Sequence, residues 1–281
     1  MEYRLMAVDM DGTLLNSKKE ITPRTVEAVR KALDAGYEVV FSTGRSLSEV
    51  EQYLKLFPEM RYAILCSGAV VKDLRTGENL KTAAVEVEIA KGVVEASRGM
   101  EVNVLYFIGD GIYEAQSVRH KLDYYNCGMY RELHETCANW VEDPYAVMLE
   151  RPEELVKINF YFHDEEEYRL MGKRLDEMGV SHPSGSIFNY EISAVGVSKA
   201  EGLQVLCDHL GISMEQAIAC GDEGNDYEMI QAAGLGIAMG NAIEPIKAIS
   251  NAVVADCDHD GVAEAIETYL GKPIRSLEGE K

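Results

Sequence analysis

A doubly wound α/β sheet with an inserted α+β module is the fold predicted by this 281-residue sequence, on three observations. Short apolar runs alternate with amphipathic helical stretches at both ends of the chain, and strands buried on both faces read as continuous apolar segments. Several of these runs stop at a loop rich in Asp, Gly, Ser or Thr, as expected at the carboxyl ends of parallel strands. Between residues 83 and 189 the texture changes to short strands, helical pieces and turn-rich connections.

Tyr3 to Val8 opens the chain as a buried strand, with Leu5, Met6, Ala7 and Val8 in one apolar run. Thr22-Pro23 then supplies a cap and an N1 proline for the helix TVEAVRKALDAG, which Gly36 ends. Tyr37 to Phe41 makes a second buried strand that runs into Ser42-Thr43-Gly44-Arg45. Ser46 and Glu49 form a capping-box pattern for a helix over about 47–57. Ala63 to Cys66 is a third strand, followed by Ser67-Gly68-Ala69 and a hairpin-like piece through Arg75-Thr76-Gly77. Strand–helix–strand units of this length close as parallel, right-handed crossovers.

In the middle of the chain, helical stretches at 85–98, 117–125 and 165–178 alternate with strands at 102–108, 111–115 and 157–162. Asp164 followed by Glu165, Glu166 and Glu167 reads as an N-cap with an acidic first turn. At Tyr190 the first pattern returns. Ser198-Lys199-Ala200-Glu201 opens a helix to about 210, and Ala217 to Cys220 is a strand running into Gly221-Asp222-Glu223-Gly224-Asn225-Asp226. A helix to Ala233, a strand from Leu235 to Met239 and a last helix over about 261–270 complete the chain. The expected division is a core of residues 1–82 and 190–281 with a module at 83–189.

The net charge of −21 opposes binding to nucleic acid or to an anionic membrane. The acidity is not confined to a tail: residues 83–189 hold 20 of the 48 acidic and 10 of the 27 basic residues. No apolar run reaches the ~18–20 residues of a membrane span, and the N-terminus reads as strand and loop, not as a signal peptide. Six cysteines without a CxxC pair point to reduced thiols and a cytoplasmic location. The expected assembly is a monomer or a small homo-oligomer.

The most informative segment is Val8-Asp9-Met10-Asp11-Gly12-Thr13. In extended chain, residues i and i+2 share a side, so Asp9 and Asp11 are expected to converge beyond the first strand. Two such carboxylates repel unless a cation or a proton lies between them. Thr43, Lys199 and the pair Asp222/Asp226 fall at strand ends or helix starts of the same expected core. This ordered set resembles the haloacid dehalogenase (HAD)-like hydrolases, specifically the Cof-type phosphatases, whose core is Rossmann-like and whose inserted cap is a large α+β (C2B-type) domain. The resemblance spans the whole chain, including Asp260-Gly261-Val262-Ala263. It departs at Ser67-Gly68-Ala69, where relatives usually carry Asn-Gly-Ala and where contacts to the substrate are implied.

The resemblance implies a Mg²⁺-dependent phosphatase acting on small phosphorylated metabolites, sugar phosphates foremost. It implies Asp9 as the nucleophile that forms an aspartyl-phosphate, and Asp11, held protonated beside a like charge, as general acid and base. Asp9, the backbone carbonyl of Asp11, and Asp222 are the implied metal ligands, with Asp226 orienting the metal shell. Thr43, Gly44, Lys199 and Asn225 are the implied phosphate-binding residues, and the cap is expected to close over the site. The physical demand supports such a set: unaided phosphate monoesters need up to ~10²¹-fold acceleration, and splitting the reaction through a carboxylate nucleophile lowers each barrier. A dianion 4 Å from a carboxylate charge is opposed by about 4 kcal/mol per unit-charge pair at an effective dielectric of 20. Mg²⁺ and Lys199 reverse that sign.

Each residue taken alone has a plainer reading. A single Asp after a strand is a turn or cap residue, and a lone DxD also occurs in metal-dependent glycosyltransferases. Asn225 fits a helix cap as well as a site residue, and Gly240-Asn241 fits a turn as well as a loop near phosphate. Asp256-Cys257-Asp258-His259-Asp260 reads as a polar loop before the last helix. Two other functions share the motif set: a sugar phosphomutase, and a sugar-phosphate-binding regulator without turnover.

Overall fold

The computed structural model describes residues 2–183 and 187–273. The first stretch runs β1 (Leu5–Val8), α1 (Pro23–Asp34), β2 (Glu38–Ser42), α2 (Leu47–Leu54), β3 (Tyr62–Leu65), β4 (Val70–Asp73) and β5 (Asn79–Thr82). Next come α3 (Val87–Ala96), β6 (Val102–Ile108), β7 (Gly111–Ala115), α4 (Arg131–Cys137), β8 (Ala138–Val141), α5 (Pro144–Glu150), β9 (Leu155–Phe162), α6 (Glu165–Met178) and β10 (Asn189–Ser193). The last stretch holds α7 (Lys199–Leu210), β11 (Ala217–Gly221), α8 (Tyr227–Ala232), β12 (Leu235–Ala238), α9 (Glu244–Ile249), β13 (Ala252–Val253) and α10 (Gly261–Tyr269).

These elements form two compact units. The first takes the chain through residue 45, over 51–81 and from 198 on. Its eight-stranded sheet has the order β13-β12-β11-β1-β2-β3-β4-β5. Pairing is parallel from β13 to β3, and β4 turns back antiparallel on β3. Because β1 lies inside the sheet, all four of its side chains are buried, which is why it reads as one apolar run. Leu5, Ala7, Val40, Ile64, Leu203, Leu206, Ala217 and Met229 belong to one buried cluster between sheet and helices. Each fully buried aliphatic side chain of the size of Leu or Ile contributes about 1.5–3 kcal/mol.

Capping chemistry sets the helix starts. The Thr22 hydroxyl accepts from the Thr25 amide ahead of Pro23, the Glu49 carboxylate accepts from the Ser46 amide and hydroxyl, and the Ser198 hydroxyl accepts from the Glu201 amide. Asp164 caps α6 through the Glu167 amide.

The second unit comprises residues 46–50 and 82–197. Its five-stranded sheet runs β10-β9-β6-β7-β8, antiparallel except between β7 and β8. An apolar cluster containing Val93, Tyr106, Ile158, Phe160, Met171 and Tyr190 forms its core. Residues 46–50, 82 and 190–197, which the sequence reading assigns to the core, belong here. Asn189–Ser193 pairs along its length with β9, so hydrogen bonding, which sequence texture does not report, sets the boundary. The helix expected at 117–125 is a short 3-10 turn, Gln116–Val118, and a non-helical connection. α4, β8 and α5 were not foreseen, their apolar periods being too short to register.

Candidate active site

Sheet order and register assemble the site. β1 lies between β11 and β2, with Val8 level with both Cys220 and Phe41. The residues leaving these strands are therefore Asp9, Asp222 and Thr43, set side by side at one sheet edge. The Asp9 amide extends the ladder by donating to the Cys220 carbonyl at 3.0 Å.

One carboxylate oxygen from each of Asp9, Asp222 and Asp226 lies within 4.8 Å of the others, and all three residues are buried. Lys199, the first residue of α7, enters the same cluster. Its ammonium donates to Asp9 Oδ1 at 2.5 Å and to Asp226 Oδ1 at 2.7 Å, and the residue is 1% exposed. The other Asp226 oxygen accepts from the Asp222 and Glu223 amides at 3.0 and 3.2 Å. Asp226 thus ties Lys199 to the loop that carries Asp222.

Three carboxylates against one ammonium leave an excess of negative charge in a poorly solvated place. Burial, reinforced by Asp226 and only partly offset by Lys199, pushes Asp9 up to about 8. Burial likewise raises Asp222 to about 6, although its hydrogen bond from Thr13 works the other way. Burial alone would lower the Lys199 ammonium, but the carboxylates of Asp226 and Asp9 hold it above its ordinary value. Hard oxygen donors, already gathered and only partly neutralised by Lys199, are the donor set that a small divalent cation such as Mg²⁺ takes. The residues fit that ion.

Asp11 is the main departure from expectation. The strand ends at Val8 and the backbone turns at once, with the Leu14 and Leu15 amides donating to the Asp9 and Met10 carbonyls. The extended i, i+2 relation is lost, and the Asp11 side chain leaves the cluster. Arg45 holds it through both oxygens at 2.8 and 2.7 Å, and Lys19 adds a third contact at 2.8 Å. Burial opposes the shift, but these hydrogen bonds and charges bring Asp11 down to about 2. In this arrangement Asp11 is ionised, not protonated, and its carboxylate is not among the gathered metal donors.

Thr43 is buried at the end of β2, where its hydroxyl accepts from the Arg45 amide at 3.2 Å. Gly44 lies between them. Asn225 is exposed in the turn Gly224–Asp226. Ser67 takes a left-handed backbone, φ 58°, between Cys66 at φ 49° and Gly68 at φ 95°. Its amide donates to the Thr43 carbonyl at 2.8 Å, so this turn braces Thr43 by backbone. The loop 256–260 is polar, with His259 on Asp256 and the Asp258 carboxylate on the Ser17 amide.

Four site residues escaped the sequence reading in whole or part. Arg45 and Lys19 pair with Asp11, Thr13 donates to Asp222 Oδ1 at 2.7 Å, and Asn241 bridges loops. Arg45 had a signal: a cation two residues beyond Thr43 in an acidic chain.

A family model described as haloacid dehalogenase-like hydrolase matches residues 6–266. The chain is 31% identical over 270 residues to the 5-amino-6-(5-phospho-D-ribitylamino)uracil phosphatase YitU of Bacillus subtilis, covering 95% of this chain and 97% of that one. It is 27% identical over 271 residues to the pyridoxal phosphate phosphatase YbhA of Escherichia coli, covering 96% and 100%. A crystal structure of a haloacid dehalogenase-like hydrolase from Bacteroides thetaiotaomicron superposes with a TM-score of 0.83 at 27% identity, covering 95% of this chain and 99% of that one.

Proposed function

This chain belongs to the haloacid dehalogenase-like hydrolases and is a phosphatase; on that premise, we propose that it hydrolyses small phosphorylated metabolites with Mg²⁺ through an aspartyl-phosphate on Asp9. The observation that carries the reading is the gathering of Asp9, Asp222 and Asp226 around Lys199. Binding alone needs no carboxylate beside the cation site, whereas covalent catalysis needs a nucleophile there. The phosphatase names of the relatives favour water over a sugar hydroxyl as the final acceptor.

Asp9 attacks phosphorus, a P–O bond forms, and the bond to the leaving oxygen breaks. That oxygen takes a proton, and water then attacks the acyl phosphate and returns Asp9. Asp11 is assigned as proton carrier. Its ionised state on Arg45 and Lys19 suits the second displacement, where it accepts a proton from water. Acting as acid in the first requires protonation and release from those cations. Asp9, Asp222 and the Asp11 backbone carbonyl would hold Mg²⁺, which supplies charge neutralisation for the phosphoryl oxygens. Lys199 adds a fixed positive charge, and Thr43 and the backbone N–H groups of its loop, Gly44 included, are assigned to the phosphoryl oxygens. Asn225 is assigned to the same group on resemblance. The 82–197 unit is assigned to substrate selection, and a cytoplasmic location accompanies the six free thiols. Among the described residues no helix is long and apolar enough to cross a membrane.

The deciding experiment is phosphate release over a panel of sugar phosphates, pyridoxal phosphate and 5-amino-6-(5-phospho-D-ribitylamino)uracil, with Mg²⁺ and with EDTA. Turnover that persists in EDTA would remove the metal from the reading. Two variants separate the roles. Asp11→Asn should lower kcat by about 10²–10⁴-fold, while calorimetric Mg²⁺ affinity stays near wild type because its side chain is outside the cluster. Gly12, at φ +81°, would carry a Cβ 2.3 Å from Asp222 Oδ2, so Gly12→Ala should displace that carboxylate. A loss of kcat/KM of about 100-fold is expected from such a misplacement, with weakened Mg²⁺ binding in the same titration.

A further inference from the structure

We infer that Asn241 is a positioning residue that sets the Asp222 carboxylate for the cation, an inference that rests on the Mg²⁺ reading above. Asn241 follows β12 and lies at the surface, yet its side chain touches three separate loops. Its amide nitrogen donates to the Gly12 carbonyl at 2.8 Å and to Asp222 Oδ2 at 3.3 Å. Its amide oxygen accepts from the Cys257 amide at 3.0 Å. The loop after β1, the loop after β11 and the loop before α10 therefore share one side chain.

The consequence falls on Asp222. Thr13 donates to one oxygen and Asn241 to the other, so each oxygen of the carboxylate is held by a side chain from outside the cluster. The backbone reinforces this: the Met239 amide donates to the Gly221 carbonyl and the Ile243 amide to the Asp222 carbonyl. The absence of a Cβ on Gly12 lets its backbone approach Asp222, and Asn241 closes that approach by binding Gly12 directly. A turn asparagine with a purely local duty would bond within its own loop. Asn251 is the comparison: its amide oxygen accepts from the Gly236 amide of β12 at 2.8 Å.

Partners that orient a metal-binding carboxylate are typically worth 10–100-fold in metal affinity. The test is calorimetric titration of the intact protein with Mg²⁺ alone, for wild type, Asn241→Ala and Asn251→Ala, with thermal unfolding in EDTA alongside. Asn241→Ala should raise the Mg²⁺ Kd about 10–100-fold, while Asn251→Ala lowers the melting temperature and leaves Kd unchanged. The Mg²⁺ concentration for half-maximal phosphate release should rise in step with Kd for Asn241→Ala. An Asn241→Ala protein that unfolds earlier yet binds Mg²⁺ like the wild type overturns the inference and leaves the metal reading standing. A wild type that binds no Mg²⁺ overturns both.

Discussion

Asp9→Asn should abolish phosphate release, with kcat down on the order of 10⁴-fold or more, the scale on which removing an attacking group acts. The amide keeps the size of the carboxylate and loses the negative charge that makes its oxygen a nucleophile toward phosphorus. The fold should survive, because Asp9 contributes burial cost as an anion: its ordinary value of 3.8 rises to about 8 in the folded chain. A neutral side chain there removes repulsion from Asp226, and Lys199 retains Asp226 at 2.7 Å as a partner. The melting temperature in EDTA should therefore remain close to that of the wild type. Normal turnover by Asp9→Asn would show that another group attacks phosphorus. Loss of activity together with collapse of the fold would assign Asp9 a structural duty instead.

Removing the cation has the opposite balance. Lys199→Ala leaves Asp9, Asp222 and Asp226 facing one another within a buried cluster with no ammonium among them. Taking one partner from a buried ionic arrangement costs about 3–5 kcal/mol, equivalent to a fall in melting temperature on the order of 10 °C for a chain of this size. Mg²⁺ should restore much of that loss and should stabilise the variant more than the wild type. The wild type in EDTA supplies the matching pH test. Asp222 at about 6 and Asp9 at about 8 both lie above their unfolded value of 3.8, so the folded chain holds extra protons in that window. Their contribution is complete below 3.8 and disappears as pH rises through 6 and then 8. Saturating Mg²⁺ should flatten the slope. A Lys199→Ala protein as stable as the wild type in EDTA would contradict the electrostatic account.

The core was legible because its cues are local. A strand buried on both faces must be apolar throughout, as β1 is, and a capped helix announces itself, as at Thr22 and Ser198. The motif residues Asp9, Thr43, Lys199 and Asp222 could be named because each follows a strand or opens a helix, and parallel strands end on the same side. The 82–197 unit was read less well, because α4, β8 and α5 are too short for periodicity to detect.

By itself, the sequence determined the class of fold, the family resemblance and the acidic residues that define the chemistry, since these depend on residue type and spacing along the chain. Only the tertiary structure decided the partners. Asp11 turns to Arg45 and Lys19 instead of Asp9 because the backbone leaves the strand at Val8 and two cations wait 34 and 8 residues away. The Asn241 bridge and the boundary after β10 have the same origin: a hydrogen bond between distant segments follows from where folding brings them, and no local pattern encodes that meeting.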